Sequence, residues 1–128
     1  MLFGCFYRSP TPSALAECNN EHLNNLLCLI SKKKYSHKCL VGDFNFPDIN
    51  WDSWTSPHSE VSKEYKFIET IRDCFFHQHN LENSRRRGND EPSLIDLIFT
   101  DELMHISNVC HPSPLGKSDH NVITFNFN

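Results

Sequence analysis

Gly42-Asp43-Phe44-Asn45 sets a carboxylate and a carboxamide two residues apart, directly after the apolar run Cys39-Leu40-Val41. A carboxylate and a carboxamide so placed can carry chemistry. The run before them reads as a buried strand, and Gly42 permits a turn or a close approach. In sheets covered by helices, the C-terminal end of such a strand is where ligands usually bind. The same residues also suit plain turn chemistry into Pro47-Asp48-Ile49-Asn50, because Asp and Asn bond their own backbone in loops. Four residues do not choose between these readings.

Asp96 lies within Leu94-Ile95-Asp96-Leu97-Ile98-Phe99-Thr100. An ionised carboxylate in such a run costs on the order of several kcal/mol unless it is paired or near an exposed edge. A lysine or arginine would pair with it, and so would the imidazole in Ser118-Asp119-His120. An aspartate beside a histidine fixes the ring and stabilises the imidazolium, which suits a group that stabilises charge on a phosphate.

Holding these groups requires a sheet. Leu2 to Tyr7 read as a strand closed by Ser9-Pro10-Thr11-Pro12, where two prolines rule out helix. Ser13 suits a helix N-cap, and Leu23, Leu26, Leu27 and Ile30 recur at helical spacing before Lys32-Lys33-Lys34. After the strand into Asp43 comes a loop from Phe46 to Ser59, of a length usually found in functional or mobile loops. Val61, Tyr65, Ile68, Ile71 and Phe75 mark one face of a second helix. Phe75 to Leu81 read as a short strand, Glu82 to Ser93 as a polar run, and Leu94 to Thr100 and His105 to Cys110 as strands. The last strand places Ile123, Phe125 and Phe127 on one face and Thr124, Asn126 and Asn128 on the other. Interleaved elements early and strands late imply a mixed α/β class layered around a sheet.

The totals narrow the function classes. A chain of 128 residues, 38% hydrophobic and 22% charged, has the composition of one globular domain. A net charge of -4 is not that of a basic nucleic-acid binder, so any such contact falls to local clusters such as Arg85-Arg86-Arg87-Gly88-Asn89. Six cysteines without a C-x-x-C pair or a tight Cys/His cluster argue against a structural zinc site and for a reduced, intracellular protein that is not secreted. No segment reaches transmembrane length. His58, His77 and His79 read as surface or strand-edge histidines, and Trp51 and Trp54 either stack on bases or pack the loop.

Taken in order, the sequences Phe6-Tyr7-Arg8-Ser9-Pro10, Gly42 to Trp51, Leu94 to Thr100 and Ser118-Asp119-His120 resemble the endonuclease/exonuclease/phosphatase superfamily, with its deoxyribonuclease I-like fold. The wording looks most like the apurinic-type endonuclease domain of non-LTR retrotransposons. The resemblance implies a layered α/β sandwich, and it covers the C-terminal half of that domain, with one mainly antiparallel or mixed sheet and two main helices. Residues 1–128 are thus expected to form a single partial domain. The half that supplies an asparagine and the principal metal-binding glutamate in the family has no counterpart in these residues.

The resemblance also implies roles. Asp43 would orient or deprotonate the attacking water, and Asn45 would hold a phosphate oxygen or that water. Asp96 would pair with His120, Tyr7 would help bind the phosphate or leaving oxygen, and Asp119 would sit near a Mg2+ or Mn2+ ion. Arg86, Arg87 and Asn89 would contact DNA phosphates. The expected activity is metal-dependent nicking of DNA, weak or absent in this chain alone, with the nucleus as its place and the cytoplasm otherwise. The alternatives are a phosphatase or phosphodiesterase of the same superfamily and a non-catalytic relic or interaction module. Half of a two-sheet fold would leave an apolar sheet face to pair with the missing half or with another chain.

Overall fold

A computed structural model describes all 128 residues. Strand β1 (Leu2–Tyr7) leads through helix α1 (Ala16–Lys32) into β2 (Lys38–Asp43), and the two strands pair in parallel. Helix α2 (Lys63–Asp73), the two-residue strand β3 (His77–Gln78) and β4 (Asp96–Thr100) follow. β4 inserts between β2 and β3, antiparallel to both, so the main sheet has the order β1-β2-β4-β3. A single turn of 3-10 helix, Leu103–His105, leads to β5 (Ile106–Cys110), which pairs with β6 (Thr124–Phe127) as a separate two-stranded sheet.

The core lies on the helical side of the main sheet. Strand alternation sends Leu40, Leu97 and Phe99 to that side, where Leu27 of α1 and Phe67, Ile68 and Ile71 of α2 cover them. The loop after β2 is not loose, because Phe46, Ile49 and Trp51 are buried in this core and Phe46 stacks on Phe67. Trp51 and Trp54 meet edge to face at 5.1 Å, so both pack the loop.

The opposite side of β1 is open, with Phe3, Cys5 and Tyr7 exposed. The molecule exposes 8093 Å², against roughly 7,000 Å² for a compact monomer of this mass.

Local departures from the sequence reading have physical causes. Ser13 does not cap α1, which starts at Ala16 after Leu15 with no side-chain cap, while Ser62 does cap α2 by accepting from the Tyr65 N–H. Val61 precedes that cap and is exposed. Phe75 also leaves the helix face. It adopts φ 56° just past the end of α2, where its N–H donates to the Arg72 carbonyl and the Phe76 N–H to the Ile71 carbonyl. These two hydrogen bonds close a Schellman motif at a position that favours glycine. Leu26, expected on the buried face of α1, is also exposed, while Leu27 is fully buried.

Relieving the left-handed strain at Phe75 defines a stability test. Phe75→Gly is expected to stabilise the fold by about 1 kcal/mol, read as a higher urea midpoint at unchanged slope. Gly42→Ala is expected to destabilise it by about 1–3 kcal/mol, because a Cβ there would overlap the Phe6 carbonyl oxygen of the adjacent strand.

Candidate active site

The strand register creates the site. Asp43 ends β2 and Asp96 begins β4, and the two residues are direct cross-strand partners on the sheet side away from the helices. His120, from the loop between β5 and β6, closes the group: its Nδ1 lies 2.8 Å from Asp96 Oδ2 and its Nε2 3.8 Å from Asp43 Oδ2. With Asp96 accepting from Nδ1–H, the Nε2 edge faces Asp43 and Asp119, whose Oδ1 is 3.9 Å away.

The polar run from Glu82 to Ser93 positions this histidine. Arg85 forms an antiparallel bridge with Ser93 on one side and with His120 on the other. The Arg86 N–H donates to the Asp119 carbonyl at 2.9 Å, and the Asn121 N–H to the Ser84 carbonyl at 2.7 Å. Ser84, fully buried, accepts from the Asp96 N–H at 3.0 Å, and the buried Asn80 amide donates to the Asp96 carbonyl at 2.7 Å. These positioning residues gave no sequence signal, since serine and asparagine in a polar run are ordinary.

Asn45 is buried in the left-handed region at φ 49°. Its N–H donates to Asp43 Oδ1 at 3.1 Å, and its Nδ2 donates to the Arg8 carbonyl at 2.6 Å. Arg8 returns the contact by donating to the Asn45 carbonyl at 2.7 Å, while its guanidinium lies over the Phe46 ring. Asp43 and Asn45 thus form the turn expected of such residues and also meet Asp96 and His120. Tyr7 is Asp43's neighbour across β1 and β2, with its side chain exposed.

Burial and then the Asp96 charge push the Asp43 carboxyl above the usual aspartate range, against the pull of His120 and the Asn45 N–H. Hydrogen bonding from Arg85 holds Asp119 below it. Asp119 Oδ2 is shared by Arg85 at 3.1 Å and Arg87 at 3.3 Å, so Arg87 is committed to Asp119. The side chains of Arg86 and Asn89 are exposed and make no hydrogen bond to the cluster.

Asp43, Asp96 and His120 each bring a donor atom within 4.8 Å of the others. Two carboxylates facing one another across a ladder, one of them with a raised pKa, lack positive charge, and a hard cation that keeps most of its waters suits that set. The residues present fit a divalent metal. The site is an open face: the cleft of about 560 Å³ beside it is bordered by Tyr7 and Arg8 but not by Asp43, Asp96 or His120.

A mixed sheet backed by two helices, with its acidic residues and histidine at the strand ends, belongs with the deoxyribonuclease I-like domains. The family model described as endonuclease-reverse transcriptase matches residues 1–124, and the chain belongs to that family. Metal-dependent nuclease activity is the function of the family. Among solved structures, the endonuclease domain of TRAS1, a telomere-specific non-LTR retrotransposon, superposes with a TM-score of 0.64 at 20% identity. That likeness is one of fold; it covers 95% of this chain and 53% of the other, so the chain spans about half the length of that domain. No match is found among curated proteins.

The raised pKa of Asp43 has a definite sign in stability. A carboxyl that titrates higher in the folded state contributes most below its unfolded pKa, and that contribution is lost as pH rises through the folded value. Asp43→Asn is therefore expected to stabilise the fold at neutral pH, with the gain shrinking as pH falls toward 4, as read by urea unfolding at several pH values. Asp96→Asn is expected to lower the Asp43 pKa, measured by carboxyl-carbon NMR.

Proposed function

We propose that this chain carries the hydrolytic site of a retroelement-type endonuclease, and that its substrate is the phosphodiester backbone of DNA. The observation that carries the reading is the Asp96–His120–Asp43 cluster, in which a carboxylate-held imidazole turns its free edge toward a second carboxylate with a raised pKa. Asp43 takes the proton from an attacking water as that water's oxygen bonds to phosphorus. His120, oriented by Asp96, donates from Nε2 to a non-bridging oxygen as charge builds there. Asn45 holds the loop that aims Asp43 and offers its amide to the water or the phosphate. Tyr7, on the same sheet side, binds the leaving oxygen as its bond to phosphorus breaks. Asp43 and Asp96, with His120 and Asp119 close by, would hold a Mg2+ or Mn2+ ion, which would supply Lewis-acid charge neutralisation.

The open site suits a long polymer better than a small phosphate. Arg86 and the exposed Asn89 would meet the backbone beside the scissile bond, as would Arg87 on exchanging its Asp119 contact for a phosphate. The exposed side of β1, with Phe3 and Tyr7, supports a second β layer as partner, matching a chain that spans about half of the solved domain. No helix is long and apolar enough to cross a membrane. A DNA substrate would place the protein in the nucleus.

The test is nicking of supercoiled plasmid with Mg2+. Asp43→Ala is expected to lower the rate by about 10²–10⁴-fold, and His120→Ala by about 10²–10³-fold. Nicking that persists in Asp43→Ala would sink the site assignment. Absence of nicking in a folded, Mg2+-binding wild-type chain would favour the non-catalytic reading.

A further inference from the structure

We propose that His37, Glu102 and His105 form a second metal site, selective for a zinc-class transition-metal ion, at the end of the sheet opposite the hydrolytic cluster. His37 immediately precedes β2, and Glu102 and His105 follow β4. Asp43 and Asp96 occupy the other ends of the same two strands, roughly 16 Å along the sheet. The site is independent of the nuclease reading.

Three observations point to an ion there. The donor atoms of His37, Glu102 and His105 lie within 4.8 Å of one another, with His105 Nε2 3.6 Å from Glu102 Oε2. The buried Nδ1 of His37 has no hydrogen-bond partner, and His105, 6% exposed, turns its Nε2 edge toward Glu102. A buried ring nitrogen is rarely left without a partner. The two imidazoles meet edge to face at 4.5 Å, an arrangement that a shared ion would organise.

The donor chemistry selects the metal. Two imidazole nitrogens and one carboxylate, completed by water, form the four-coordinate set that Zn2+ favours, whereas Mg2+ prefers oxygen alone. Asp101 supplies what ligating histidines usually have behind them: its Oδ1 lies 3.5 Å from His105 Nδ1, the ring nitrogen away from Glu102. The Lys38 N–H fixes that carboxylate at 2.9 Å, and Lys38 Nζ is 3.6 Å from its other oxygen. Phe127 packs on both rings, at 5.1 Å from His105 and 6.1 Å from His37. Glu102 is exposed, which leaves the ion an entry path.

Asp48, His58 and Glu64 also bring donor atoms within 4.8 Å of one another, but the His58–Asp48 pair is already engaged and open to solvent. His58 already bonds Asp48 at 2.7 Å, and both are about half exposed. At His37 the ion would clamp the start of β2 to the segment leading into the β5–β6 hairpin. Sequence spacing does not reveal such a site, because His37 stands far from Glu102 and His105 in the chain.

The test titrates the 128-residue chain with Co2+, read by its visible absorption bands, and with Zn2+ in competition with a chromogenic chelator. At least one ion should bind per chain, and one should survive Asp43→Asn and raise the melting temperature. Glu102→Ala, an exposed position whose loss leaves the core intact, and His37→Ala should each weaken binding at least about tenfold, and Asp101→Asn about tenfold. His37→Ala should also abolish the thermal shift. Binding lost in Asp43→Asn but retained in both Glu102→Ala and His37→Ala would place the ion in the hydrolytic cluster and overturn the proposal. No Co2+ or Zn2+ binding by the folded chain would overturn it as well.

Discussion

Two carboxylates face each other across one rung of a β ladder, and much of the molecule answers that repulsion. Asp43 and Asp96 are register partners at the open ends of β2 and β4, where like charges directly opposite destabilise a sheet. His120 is drawn in between them and bonded to Asp96 at 2.8 Å. Its loop is fastened to a polar run that is itself bonded to the first residues of β4 through Ser84. A stretch with little regular structure therefore performs the most exacting positioning in the molecule. The residual charge makes the same spot attractive to a cation and keeps the Asp43 proton within reach of chemistry.

That tension is tolerable because the other side of the strands is well packed. Phe44 and Phe99, on β2's exit and on β4, pack against Phe67 of α2, and Phe46 carries the Arg8 guanidinium on its face. Arg8 and Asn45 exchange bonds across the ends of β1 and β2, so the left-handed turn that aims Asp43 is held from both sides. Local strain at a functional turn persists only when its surroundings over-determine it. Gly42 completes the arrangement by letting β1 approach the strand that carries the site.

The legible part of this design follows from periodicity. Apolar runs located β1, β2, β4 and β6, and the Tyr65, Ile68 and Ile71 spacing located α2, because burial on one face leaves a repeating mark. Asp96 stood out because a carboxylate among Leu, Ile and Phe demands a partner, and His120 is that partner. Polar positioning leaves no such mark. Asn80 and Ser84 are completely buried and bond the backbone of β4, yet nothing local separates them from loop residues. Phe75 misled for a related reason: its type fits a helix face, whereas its position is fixed by how the backbone stops the helix. The length of the Phe46 to Ser59 loop suited a functional or mobile segment, and length does not register that Phe46, Ile49 and Trp51 are all buried.

Both ends of the β2–β4 pair carry titratable side chains brought together from distant parts of the chain, and the two sets differ in kind. At one end carboxylates dominate and the surface is open, which favours a hydrated hard cation and a large anionic substrate. At the other end imidazoles dominate, Phe127 shields the rings, and the His37 Nδ1 is left without a partner, which favours a softer ion held by nitrogen. An antiparallel pair makes this possible, since the start of one strand lies beside the finish of the other and each end collects residues from two loops. The strands between them, Leu40 to Val41 against Ile98 to Phe99, are largely apolar and keep the two sets of charges apart. Four rungs of ladder thus insulate two chemically distinct sets of residues that the same sheet brings together.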